Sequence, residues 1–208
     1  MKQQNSEDAS STLDKGASRR GQVLDAAAAC FRQHGFHGAS IQRISQAAGM
    51  SPGHIYHYFR NKEAIVEGIV ERNLEEILMR VEAIRRASET GGVVEACLAQ
   101  VDSGVAMRVH GERASLDLEI LAEATRNPSI SEMIRKADEI ARTRFRDVLK
   151  QLPSMRKLPL RELDARIAVM NTLFDGLVVR TLVDPSMNRT AVSRVIQRVM
   201  RLLLDDED

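Results

Sequence analysis

The chain has 208 residues, 43% hydrophobic and 28% charged, with a formal net charge of +1; that length holds one fair-sized core, or a small head and a larger body. No apolar run approaches the ~18 residues a membrane span needs, and residues 1–14 are too polar for a secretory signal. Cys30 and Cys97 are too isolated for a disulfide framework or a zinc site, so a cytoplasmic protein with no membrane partner is expected.

Residues 1–14 are rich in Ser, Gln, Asn and Asp and are expected to form a disordered tail. Charge is then distributed unevenly. Across residues 15–62 stand Lys15, Arg19, Arg20, Arg32, Arg43, Arg60 and Lys62 against the single acid Asp25, a local charge of +6. Residues 1–14 carry −2 and the remainder −3. A basic block confined to one short segment is an electrostatic footprint for phosphate.

The apolar spacing is helical throughout, with no sustained alternation of period two. Ser18 is placed to cap a first helix over 19–34, which Gly35 stops. Val23, Leu24, Ala27, Ala28 and Phe31 form its apolar stripe. A short second helix follows Ser40, with Ile41, Ile44 and Ala48 facing inward, and ends at Gly49. Ser51 caps a third, with Pro52 at the first helical position, where its missing N–H costs nothing; Ile55 and Phe59 are its inner face. Asn61 caps a long fourth helix, with Glu63 in its first turn. Beyond the break at Gly91 and Gly92, helices are expected over 93–109, 113–126, 129–151, 160–183 and 189–204. Residues 153–159, bounded by two prolines, read as the most linker-like interior segment. The acidic end, residues 205–208, is expected to fray.

The most informative stretch is residues 40–63, SIQRISQAAGMSPGHIYHYFRNKE. Two short helices meeting at a Gly-containing turn have helix-turn-helix spacing. In such motifs the N-terminal residues of the second helix reach base edges in the major groove. Here these are Ser51, Pro52, Gly53 and His54. His57 lies three residues beyond His54 on the same outward face. Tyr56 and Tyr58 add hydroxyls, Arg43 adds charge, and Ser40 and Lys62 stand where a helix N-terminus can share a phosphate. These ten positions are the expected DNA-binding residues.

The segment S-P-G-H-I-Y-H-Y-F-R-N-K-E-A-I resembles the recognition segment of the tetracycline-repressor (TetR) family, S-x-G-x-L-Y-x-[HY]-F-x-x-K-x-x-L. Upstream, Ala27, Ala28, Phe31, Gly35, Phe36, Ala39 and Ser40 fit the same pattern. Ser40 stands where the family usually has Thr, and Ile55 where it has Leu. The resemblance covers residues 19–66. Segments around residues 119–128 and 174–185 are similar to ligand-domain stretches of many members.

The resemblance implies an all-α fold: a three-helix helix-turn-helix head (15–62) and a helical effector-binding and dimerisation domain (63–208). It implies a homodimer that reads an inverted-repeat operator in double-stranded DNA and a body cavity whose filling releases the DNA. It also implies an intersubunit four-helix bundle built from the last two long helices. Their wide apolar stripes suit that role, and Leu163, Ile167, Met170, Phe174, Val178, Val192, Val195, Ile196 and Val199 are the expected interface.

The body has seven methionines and only Phe145 and Phe174 as aromatics, which suits a small hydrophobic or cationic effector. Expected lining residues are Leu98, Val101, Asp102, Val105, Glu119, Met170, Phe174 and Leu177, with Asp102 and Glu119 as the carboxylates that would select a cation. His34, His37, His54 and His57 lack a Cys or carboxylate to complete a metal site. There is no Gly-rich phosphate loop, G-x-S-x-G or H-E-x-x-H. Neither cofactor, metal nor enzymatic activity is therefore expected. A transcriptional activator of the same fold, or a DNA-binding regulator without a ligand, are the alternatives to a ligand-released repressor.

Overall fold

A computed structural model describes residues 4–205, with side chains from Gly16 onward. Residues 1–3 and the acidic residues 206–208 lie outside that description; residues 4–14, expected as a disordered tail, are helical instead. Among the described residues there are eleven helices and no strand, and no helix is long and apolar enough to cross a membrane. The chain is all-α. It groups into two compact units, residues 1–70 with 119–131 and residues 71–118 with 132–208.

The first unit contains α1 (Gln4–Gly38), α2 (Ile41–Ala47), α3 (Pro52–Tyr58) and the start of α4 (Lys62–Gly91). The backbone of α1 begins upstream of the expected Ser18 cap. Gly35 breaks it as anticipated: its φ of 67° leaves the helix, a conformation that glycine adopts without steric cost. The stripe of Val23, Leu24, Ala27, Ala28 and Phe31 is buried, as are Ile44, Ala48, Ile55, Phe59, Ile65 and Ile69. Phe31 and Phe36 meet with ring centroids 5.7 Å apart. Each such side chain contributes about 1.5–3 kcal/mol by leaving water, and this burial holds together helices of only seven residues.

The second unit contains the rest of α4, then α5 (Val93–Ala99), α6 (Val101–Arg108), part of α7 (Gly111–Ala124), and most of α8 (Pro128–Leu149). It ends with α9 (Pro153–Lys157), α10 (Leu160–Val183) and α11 (Arg189–Leu204). The expected single helix over 93–109 is two, separated at Gln100, whose ψ of −6° interrupts the helical path. The expected linker over 153–159 also differs. Pro153 starts a short helix there, and Met155 inserts fully into the core. One cluster joins Val93, Cys97, Leu98, Val101 and Val105 with Leu149, Leu163, Ile167, Met170, Ile196 and Met200. Burial pushes the Cys97 thiol up to about 12, so it behaves as a small apolar side chain.

A close helix crossing in the first unit depends on Gly68, which the sequence reading passed over. A Cβ there would lie 2.9 Å from Leu24 Cδ2 and 3.1 Å from both Phe59 Cε1 and Arg20 Nη2. Alanine gains about 1 kcal/mol in helix propensity, but overpacking costs roughly 1–3 kcal/mol. Gly68→Ala is therefore expected to lower the melting temperature. A melt at or above that of the parent would show that Leu24 and Phe59 give way.

Candidate nucleic-acid interface

The two short helices are fixed by local chemistry at each end. Ser40 Oγ accepts from Arg43 N–H at 3.2 Å, and Ser51 Oγ accepts from His54 N–H at 3.2 Å, so each hydroxyl satisfies an N–H that the helix leaves unpaired. Between the helices Ala48 is buried and Gly49 takes φ 62°. Gln22 Nε2 donates to Ala48 O at 2.7 Å, tying α1 to this turn. Asn61 Oδ1 accepts from Ala64 N–H at 2.8 Å and starts α4.

With Ile55 and Phe59 turned inward, α3 has its opposite face in solvent. Ser51, Pro52, Gly53, His54 and His57 are exposed, and Tyr56 is 55% exposed. Tyr58 is half-buried because its ring stacks on His54, centroids 5.4 Å apart, and meets the edge of His57 at 5.1 Å. The His54–His57–Tyr58 cluster pre-sets three rings on one face, which lowers the entropy lost if they dock. Ser40 and Arg43 are exposed. The expected DNA-contacting residues on α2 and α3 are thus accessible from solvent.

Lys62 has a second engagement. Its Nζ donates to Phe36 O at 2.6 Å and sits 4.4 Å from the Phe36 ring centroid. An ammonium has three donors, so it can brace this turn and still face a phosphate. At the other end of the same residue, Phe36 N–H donates to Glu119 Oε1 at 2.6 Å, and His37 Nε2 lies 3.1 Å from Glu123 Oε2. Glu123 also accepts from Arg126 Nε at 2.6 Å.

These contacts correct the two carboxylates expected in a ligand cavity. Glu119 is bonded to the Phe36 backbone in the first unit, and Asp102 is exposed on α6. The apolar candidates fare differently: Leu98, Val101, Val105, Met170 and Leu177 belong to one buried cluster, with Phe174 packed against it.

The interface expectation needs a similar correction. Leu163, Ile167, Met170, Val178 and Ile196 are buried within a single chain and have no surface to offer a partner. Phe174, Val192 and Val199 are half-buried, and Val195 is exposed. The large apolar side chains left open are Val169, Val179, Leu182, Val183 and Leu160 on α10, with Leu202 and the already expected Val195 on α11. Gly176 lies on the same helix as the first four, and a Cβ added there would meet nothing within 4 Å in the chain.

The second unit also carries a charged group that the sequence reading missed. Arg113 Nη1 donates to Glu76 Oε2 at 2.6 Å and its Nη2 to Asn73 Oδ1 at 3.1 Å. Arg108 pairs with Asp175 at 3.0 Å and Asp117 at 3.5 Å. Burial raises Asp117 above the usual carboxylate range, with Arg108 opposing, while Asp175 is exposed. Only the four-residue spacing of Glu76 and Arg80 hinted at this cluster in the sequence.

The comparisons with known proteins agree with this geometry. Residues 23–69 match the family described as bacterial regulatory proteins, tetR family, and residues 92–205 match the BetI-type transcriptional repressor, C-terminal family. The chain is 34% identical over 116 residues to the HTH-type transcriptional regulator UidR of Escherichia coli K12, covering 56% of this chain and 57% of that protein. It is 37% identical over 89 residues to the HTH-type transcriptional repressor Rv1474c of Mycobacterium tuberculosis, covering 43% of this chain and 46% of that protein. The matched stretch thus spans about half the length of these curated relatives. Among solved structures, Salmonella enterica GusR superposes with a TM-score of 0.73 at 22% identity, over 90% of this chain and 95% of that one. FadR of Bacillus subtilis, in complex with stearoyl-CoA, superposes at 0.69 and 19% identity, over 86% and 96%. An exposed α3 on a capped helix-turn-helix, followed by a helical domain of matching type, places this chain in the TetR family of bacterial transcriptional regulators.

Proposed function

We propose that the protein is a cytoplasmic, non-enzymatic repressor that binds an inverted-repeat operator as a homodimer and is released by a small molecule. The observation that carries the reading is the division of α3: Ile55 is held in the core, and Ser51, Pro52, Gly53, His54, Tyr56 and His57 face solvent. A short helix presents few base contacts, each worth about 1–3 kcal/mol, so two linked copies are needed for a useful affinity. The open apolar residues of α10 and α11 support pairing of two chains, and that two-fold symmetry in turn requires a symmetric site on DNA. FadR of Bacillus subtilis holds stearoyl-CoA on the same fold, which supports a ligand in the body.

A duplex selected from a random pool should be an inverted repeat. His57→Ala and Tyr56→Ala should each weaken binding to it by about 10-fold with unchanged melting. Binding at parental strength would remove these side chains from the interface.

Salt titration separates the charges. Arg43→Ala should lower the slope of log K against log salt by about one unit and leave stability alone. Lys62→Ala should lower both, because its ammonium also holds Phe36 O. An unchanged slope would leave Lys62 with a bracing role only.

Val195→Glu, with Val179→Glu as a second variant, should turn a sedimenting dimer into a monomer that retains its helical circular dichroism. A dimer in both would move the subunit contact elsewhere.

A further inference from the structure

α4, α6, α7 and α10 bring the guanidinium groups of Arg80, Arg108 and Arg113 into one charged cluster in the second unit. Two of its donors are unmatched. Arg113 uses both terminal nitrogens, on Glu76 and Asn73, and its Nε is buried with no acceptor. Arg80 Nη2 is also buried with no acceptor, and Glu76, one turn before it, is already bonded to Arg113. The third such atom among the described residues, Arg142 Nε, has Asp138 at 3.9 Å. Folded proteins leave few buried donors unpaired, and each one asks for an explanation.

The electrostatics point the same way. Burial, and then the positive charge of Arg113, draws Arg80 below the usual guanidinium range, and Glu76 only partly opposes this. Burial also raises Asp117, with Arg108 opposing. The cluster's three guanidiniums face three carboxylates, Glu76, Asp117 and Asp175, yet the two donors named above meet none of them. An aromatic ring stands beside the Arg108–Asp175 pair. The ring of Phe174, next to Asp175, comes within 2.9 Å of where a Cβ on Gly104 would lie, one turn before Arg108. Gly104 is thus a position where a side chain would take the space that ring now fills.

We propose that Arg80 and Arg113 bind the carboxylate of an anionic small molecule whose apolar body lies against Phe174. Two guanidinium donors suit the two oxygens of a carboxylate. This deepens the ligand-released reading, on which it rests, and reverses the expected sign of the effector. Asp102 and Glu119, which would have chosen a cation, are respectively in solvent and bonded to Phe36 N–H.

The test melts the full-length dimer with benzoate, octanoate and inorganic phosphate, and with methyl benzoate and 1-octanol as neutral controls at equal ionic strength. Benzoate or octanoate should raise the melting temperature by about 2–4 °C, and the neutral compounds should not. Arg80→Met should abolish that shift without lowering the melting temperature of the unliganded protein, since it removes a buried donor that has no acceptor. If Arg80→Met does not fold, Arg80→Lys replaces it; it keeps the charge, loses the fork and should weaken binding at least ~10-fold. No response to benzoate or octanoate, a response to phosphate alone, an equal response to the neutral compounds, or an undiminished response in the variant overturns the proposal. Operator binding is followed in parallel by fluorescence anisotropy. An anion that binds through Arg80 and leaves DNA bound keeps this site and removes the ligand-released reading. Release by 1-octanol with no anion bound does the reverse.

Discussion

The anchoring of Ile55 and Phe59 is what the rest of the head depends on. A helix of seven residues is far below the length at which an isolated helix persists in water, so α3 exists only because its inner face is buried and its first turn is capped by Ser51. That burial fixes its rotation about its own axis. With Ile55 turned inward, the 3.6-residue repeat sends Gly53 and His57 to the opposite side, and Pro52 and Tyr56 are exposed beside them. The reading surface is thus a by-product of core packing. The Gln22–Ala48 bond and the Lys62–Phe36 bond hold the turns on either side of it.

The second unit follows a different logic. Its centre is largely aliphatic, from Val81 to Leu204, and most of its ion pairs join exposed side chains. Glu82, for example, is held down to about 2 by hydrogen bonds from Arg85 and Arg86, and such exposed pairs matter little to stability. The arginine cluster is the exception, because its charges are partly buried and incompletely matched. Proteins tolerate such stability-costly arrangements chiefly where a partner later completes them.

Signals confined to a few neighbouring residues were readable. The caps at Ser40, Ser51 and Asn61, the break at Gly35 and the turn at Gly49 each rest on one side chain or one backbone angle. The α1 stripe was readable because it has only one buried side. Rotational position within a helix buried on most of its circumference was not. In α10 the pattern could not say that Leu163, Ile167 and Met170 face the chain's own core while Val169 and Val179 face out. The break at Gln100 has no Gly or Pro to announce it, since a single backbone angle does the work. Pro153 signals a helix start as readily as a linker, and only the insertion of Met155 decided between them. Arg80, Arg113 and Glu76 come from two separate helices, and no linear spacing links the two.

The peptide between Gly35 and Phe36 carries a consequence for anyone wishing to cut the molecule. Its N–H is received by a carboxylate 83 positions later in the chain, and a Cβ on Gly35 would stand 3.2 Å from that same oxygen. A fragment ending near residue 62 would keep every helix of the reader yet lose the acceptor for this amide. Hybrid regulators made by exchanging N-terminal portions between relatives face the same requirement. The donor's glycine and the recipient's glutamate must arrive as a matched pair, and a seam drawn by sequence alone would separate them.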